Sequence, residues 1–213
     1  MARAEKLHPE VNKMAIDLYS NWKSRKHDKA FEDFDEMTVT KINEVLSEIN
    51  PKHYDEMLQQ TLVPMLDHTY MFPKRLKEEL QDKGYMILAI SGSRFEEVDL
   101  FARYHNFDDW IGQTWHRSDD GKKFTGKITA TYKDKHLLLE KLVKKHDLTY
   151  DDSYAIGDTG GDISILDIVQ NPIAFNPNHI LLDYARKHNW KIVVERKSIA
   201  YSLEPKNGIY VLA

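Results

Sequence analysis

Ser153-Tyr154-Ala155-Ile156-Gly157-Asp158-Thr159-Gly160-Gly161-Asp162-Ile163 is the stretch on which the fold turns. A short apolar run stops at a glycine, and a Gly-rich turn then carries Asp158 and Asp162 into a segment with Ile163, Ile165 and Leu166 at helical spacing. A run this short, bounded by turn residues, reads as a buried parallel strand. In open α/β sheets ligands bind beyond the carboxyl ends of the strands, so the residues just past Ile156 are those to watch. Carboxylates held close together there repel unless a cation sits between them, and hard oxygen ligands favour Mg²⁺. The alternative is structural: one Asp caps the helix and the other sits in its first turn, favoured by the helix dipole. Both readings stay open on this stretch alone.

The same pattern recurs on either side. Tyr85-Met-Ile-Leu-Ala-Ile90 is a second apolar run, entered from Gly84 and left through Ser91-Gly92-Ser93. Ser91 offers a hydroxyl and Gly92 an open backbone whose N–H can face an anion, although an ordinary turn with an N-cap serine would look the same. Phe95, Val98, Phe101 and Ala102 then form a helix face. Ile173 to Phe175 and Trp190 to Val194 complete a series of strands alternating with helices, which means a parallel sheet wrapped in helices. Trp115 to Tyr132 contains Asp120-Gly121 between strand-compatible residues and predicts a β-hairpin. Lys135 opens the helix bearing Leu138, Leu139, Leu142 and Val143, placed so that its ammonium could balance a phosphate or a carboxylate; a solvated surface charge is the bland reading.

Ahead of the α/β part the apolar spacing is helical throughout. Val11, Met14, Ala15, Leu18 and Trp22 share one face, Ile42, Val45, Leu46 and Ile49 a second, and Tyr54, Met57, Leu58 and Leu62 follow Pro51. We therefore expect residues 1–70 to be a small helical domain and 71–213 the α/β core.

The 213 residues are 41% hydrophobic and 30% charged, enough apolar material for a sizeable core. Thirty basic against 34 acidic side chains give a net charge of −4, which argues against binding built on nucleic-acid phosphates. No apolar run approaches the ~20 residues needed to span a bilayer, so no membrane is expected and the cytoplasm is the default location. The absence of cysteine removes disulfides, thiol nucleophiles and cysteine zinc sites. Three further patterns are set aside. Gly121-Lys-Lys-Phe-Thr-Gly126-Lys127 has P-loop spacing, but Ile128 stands where a Mg²⁺-binding hydroxyl belongs. Asp33-Phe34-Asp35 follows a charged stretch and is expected in a loop. The histidines show no pairing suited to zinc.

Taken in order, Ile90-Ser91-Gly92-Ser93, Lys135 and Gly157-Asp158-Thr159-Gly160-Gly161-Asp162 resemble the second, third and fourth motifs of haloacid dehalogenase (HAD) superfamily phosphatases. Asn171-Pro-Ile-Ala-Phe-Asn-Pro177 resembles the closing segment of the phosphoserine-phosphatase-like branch, so the likeness runs from Pro73 to about Leu203. The resemblance implies a HAD-like α/β fold with a helical cap and Mg²⁺-dependent hydrolysis of a small phosphorylated metabolite through an aspartyl-phosphate. It assigns Ser91, Gly92 and Lys135 to phosphate, with Ser91 and Lys135 catalytic, Lys133 as the fallback for Lys135, and Asp158 and Asp162 to the metal. Two departures stand out. The family's first motif, a central strand ending in Asp-x-Asp-x-Thr, is expected to be missing, which would leave this chain inactive alone. Gly161 stands where phosphoserine phosphatases carry asparagine. The competing reading is a catalytically silent phosphate- or protein-binding module. A dinucleotide-binding oxidoreductase lacks its G-x-G-x-x-G. The oligomeric state is not legible.

Overall fold

The computed structural model describes residues 9–27, 30–131, 135–197 and 199–212. Lys133 lies outside them. By their contacts the residues group into two units, one of residues 1–56 with 115–127 and one of residues 57–114 with 128–213.

In the first unit, α1 (Pro9–Lys23) and α2 (Ala30–Val45) pack through aromatics: Trp22 stacks on Phe34 at 5.4 Å, and Tyr19 meets both edge-on. Asp33-Phe34-Asp35 is therefore helical, not the loop expected from its charge. Burial of Phe34 in this cluster outweighs the poor helix propensity of aspartate. The start of α3 (Pro51–Leu62) brings Tyr54 against Trp115 and Phe124, and Asp55 takes a bidentate pair of hydrogen bonds from Arg117 at 2.7 and 2.8 Å. Trp115 and Phe124 belong to the hairpin of β2 (Asp109–Arg117) and β3 (Phe124–Thr129), which turns at Asp120-Gly121 as the sequence predicts. The P-loop-like run spans this turn and the first residues of β3.

The second unit holds the α/β part. α4 (Met71–Asp82) ends before Gly84, whose φ of +84° is the left-handed conformation that glycine adopts without strain. β1 (Leu88–Arg94) starts later than expected and runs on through Ser91-Gly92-Ser93, with a register break between Ile90 and Arg94. The serines thus prolong the strand irregularly. They do not cap α5 (Phe95–Tyr104), whose N-cap is Arg94 without a side-chain bond. The parallel pairing of β1 with β2 was not foreseen, because Asp109–Ile111 is too short an apolar signal. After α6 (Lys135–Lys145) come β4 (Tyr154–Gly157), the short α7 (Ile163–Leu166), β5 (Asn171–Phe175), α8 (His179–Lys187) and β6 (Lys191–Arg196). A final hairpin, β7 (Ile199–Lys206) and β8 (Ile209–Leu212), turns at Asn207-Gly208 with both φ values positive.

The strands form two sheets, β1-β2-β3 and β4-β5-β6-β7-β8. β4, β5 and β6 are parallel, and the last hairpin adds on antiparallel. Both faces of this sheet are covered. Leu166, Ala174, Leu181, Ala185, Trp190 and Ile192 form the core beneath α7 and α8, and Ile173, Phe175 and Val193 pack on the other side against Phe72 and Leu76 of α4. Glu195, 6% exposed, closes that side by accepting the N–H groups of Met71 and Phe72 at 2.8 Å each, which satisfies the first turn of α4. Among the described residues no strand joins β1 to β4.

Candidate active site

The carboxyl end of β4 is organised by close backbone approach. A Cβ on Gly157 would lie 2.5 Å from the Asp162 Cβ, and one on Gly160 would lie 2.7 Å from Ile180, so only glycine lets the turn fold back on itself and on α8. Thr159 and Asp162 form a reciprocal capping box. Asp162 Oδ2 accepts the N–H groups of Asp158 and Thr159 at 3.2 and 3.1 Å and the Thr159 hydroxyl at 3.2 Å. Its Oδ1 takes the Lys135 ammonium at 2.6 Å, with the two side chains only 12% and 15% exposed. Asp162 therefore does the capping that a purely structural reading requires, and it also holds Lys135 in place.

Asp158 differs. Neither of its carboxylate oxygens enters this network, and neighbouring protein mass, followed by the Asp162 charge, pushes its carboxyl above the ordinary aspartate value; its backbone N–H and Lys135 pull the other way. Burial and the Asp162 charge thus outweigh the pull of Lys135 on this carboxyl. Mg²⁺ sites are commonly built from one or two carboxylates completed by water and substrate phosphate, and Asp158 with Asp162 provides that donor chemistry. Among the described residues no group of three or more acidic or histidine side chains forms a fuller cation site.

At the end of β1 the Thr131 hydroxyl donates to the Ser91 carbonyl at 2.6 Å. The Ser91 hydroxyl accepts the Ser93 N–H at 3.1 Å, and nothing lies within 4 Å of where a Gly92 Cβ would stand. The structure thus links Lys135 and the Asp158 backbone N–H directly to Asp162, and it holds Ser91 separately through Thr131. Sequence reasoning did not single out Thr131 or Thr159. The Thr159/Asp162 spacing of a capping box was the available signal for the latter.

The geometry matches known relatives at the level of fold. A solved protein of unknown function from Bordetella pertussis Tohama I superposes with a TM-score of 0.66 at 18% identity, over 90% of this chain and 85% of its own. A phosphoserine phosphatase solved as an analogue of its phospho-aspartyl intermediate gives 0.58 at 19% identity, over 87% and 81%. An apo phosphoserine phosphatase gives 0.54 at 18%, over 79% and 82%. No curated protein matches the chain. The family model for haloacid dehalogenase-like hydrolases matches residues 2–167, and with the ordered turn at β4 and its lysine this chain belongs to that family.

Proposed function

We propose that the site serves a Mg²⁺-dependent phosphomonoester hydrolase, acting in the cytoplasm on a small phosphorylated metabolite. The observation that carries this is the buried Lys135–Asp162 contact beside the desolvated Asp158 carboxyl. In this reading Asp158 and Asp162 would hold Mg²⁺, which supplies charge neutralisation on the phosphoryl oxygens. Lys135, fixed by Asp162, would direct its ammonium at a phosphate oxygen, while the Ser91 hydroxyl and the Gly92 N–H hold the others. An attacking carboxylate has to bond to phosphorus while the ester oxygen leaves with a proton, and water must then cleave the acyl phosphate. Among the described residues no strand ends in the Asp-x-Asp that would deliver that carboxylate. The 213 residues alone should therefore bind phosphate without turning it over.

Tungstate titration tests the phosphate site. Lys135→Ala should weaken tungstate binding by about tenfold or more, whereas Lys133→Ala should not. Equal binding by Lys135→Ala and the parent protein would overturn the assignment. Mg²⁺-dependent thermal stabilisation should vanish in Asp158→Ala, and identical Mg²⁺ responses would remove the metal from this reading. Brisk hydrolysis of p-nitrophenyl phosphate by the parent chain, lost in Asp33→Asn, would move the reaction elsewhere.

A further inference from the structure

We infer that Thr131 is a positioning residue for the phosphate site: its hydroxyl fixes the Ser91–Gly92 peptide and so sets where the Gly92 N–H points. This role rests on the proposed function, which gives that N–H a phosphate oxygen to hold. Thr131 is 2% exposed, the lowest value of any polar or charged residue among those described. A hydroxyl taken that far from water needs a partner. It finds one 40 residues back in the chain, donating to the Ser91 carbonyl at 2.6 Å.

That acceptor carries the consequence. The Ser91 carbonyl and the Gly92 N–H belong to one planar trans peptide and point in opposite directions. Holding the carbonyl therefore holds the N–H, turned away from Thr131. A carbonyl that accepts a hydrogen bond also polarises its amide, which makes the N–H a stronger donor. Other restraints on this peptide are weak. The register partners of β1 and β2 stop at Ile90 and Ile111 and resume at Arg94 and Gln113, so four steps of β1 span two of β2 and the regular ladder lapses at Ser91, Gly92 and Ser93. Gly92 has no side chain, and a Cβ there would meet nothing within 4 Å. The Ser91 hydroxyl is turned to the Ser93 N–H at 3.1 Å. A peptide so placed turns easily unless one end is tied.

Thr131 is also placed to tie this peptide to the lysine. Three residues separate it from Lys135, so their α-carbons lie within about 15 Å of one another. α6, which Lys135 opens, lies against both β1 and α7. Asp162 then takes the Lys135 ammonium at 2.6 Å. One short stretch of chain thus anchors the backbone donor with Thr131 and supplies the cationic donor with Lys135. Donors set in advance need no reorientation when the anion arrives, and that is what a positioning residue contributes.

Tungstate titration of the full chain, with the Gly92 amide followed by NMR, tests the role. Thr131→Val keeps the shape and removes the donor, whereas Thr131→Ser keeps the donor. Tungstate binding should weaken about tenfold in the Val variant and stay within about twofold of the parent in the Ser variant. In the parent protein the Gly92 amide proton should move downfield as tungstate is added. Parent-like affinity in a folded Val variant would overturn the inference, because a hydroxyl that only bonds the interior changes the melting temperature and not the affinity. Equal losses in the two variants would overturn it as well. Should Thr131→Val fail to fold, the parent protein decides: a Gly92 amide that stays still while tungstate fills a Lys135-dependent site overturns the role of Thr131 and leaves the phosphate site standing. Tungstate binding that is absent, or indifferent to Lys135→Ala, overturns the phosphate site and this role with it.

Discussion

Ile173 and Ile156 sit side by side on neighbouring strands, yet Ile173 is 4% exposed and Ile156 39%. β5 is flanked by β4 and β6, and Ile173 packs against Phe72 and Leu76 of α4. β4 is flanked on one side only, and Ile156 meets solvent. One strand spacing separates a finished core from an unfinished one. The contrast shows that stability and chemistry draw on different parts of this sheet: the helices and the last hairpin secure β5 and β6, while the candidate site lies where pairing stops.

The largest effect should come from the finished side. Ile173→Ala should cost about 3 kcal/mol in urea unfolding, and Ile156→Ala less than about 1 kcal/mol. Equal costs would mean that β4 is covered in solution and would erase the contrast. Next is Glu195→Ala, which leaves the Met71 and Phe72 N–H groups without their acceptor where α4 meets the sheet and should cost about 2 kcal/mol. A loss well below that would show that water replaces the carboxylate and that α4 is less securely closed than its hydrogen bonds imply.

Asp158→Asn sharpens the comparison in the opposite direction. The fold raises the Asp158 pKa, so it favours the neutral form, and stability falls as pH rises from the unfolded value through the folded one. Above that window the ionised group opposes folding. Asn should therefore raise the melting temperature without Mg²⁺ by about 1–2 °C at neutral pH, while removing the Mg²⁺ response. A lower melting temperature would show that Asp158 supports the turn much as Asp162 does.

The smallest effect belongs to Asp109, at the start of β2. Burial pushes its carboxyl up, but hydrogen bonds from Lys145 and His146 together outweigh that and hold it below the ordinary value. A depressed acid contributes stability above its unfolded pKa and loses it as pH falls through the folded one. Asp109→Asn should thus reduce melting temperature slightly at pH 7 and leave the two proteins alike in strong acid. A difference that persists in acid would assign the effect to packing.

Legibility followed the range of the interactions. The glycines of the Gly157–Asp162 turn, the helix opening at Lys135 and the Asp120-Gly121 hairpin are local chemistry, and each was readable from neighbours in the chain. Asp33-Phe34-Asp35 was misread because its helix depends on Trp22 and Tyr19, which composition around it does not reveal. Asn207-Gly208 was a missed local signal, since the dipeptide itself specifies the turn.

By itself the sequence determined the strands and helices of the α/β part around Ile90, Lys135 and Ile156 and the residue types at those strand ends, because periodicity, glycine and carboxylate spacing act within a few residues. Tertiary structure alone decided that Asp162 receives Lys135 as well as the capping-box donors while Asp158 takes no part in that pairing, since that depends on how α6 meets the turn. It also decided that β1 pairs with β2 and β4 with β5, because strand neighbours are set by backbone hydrogen bonds between distant segments, and no side-chain pattern within either strand records which partner lies beside it.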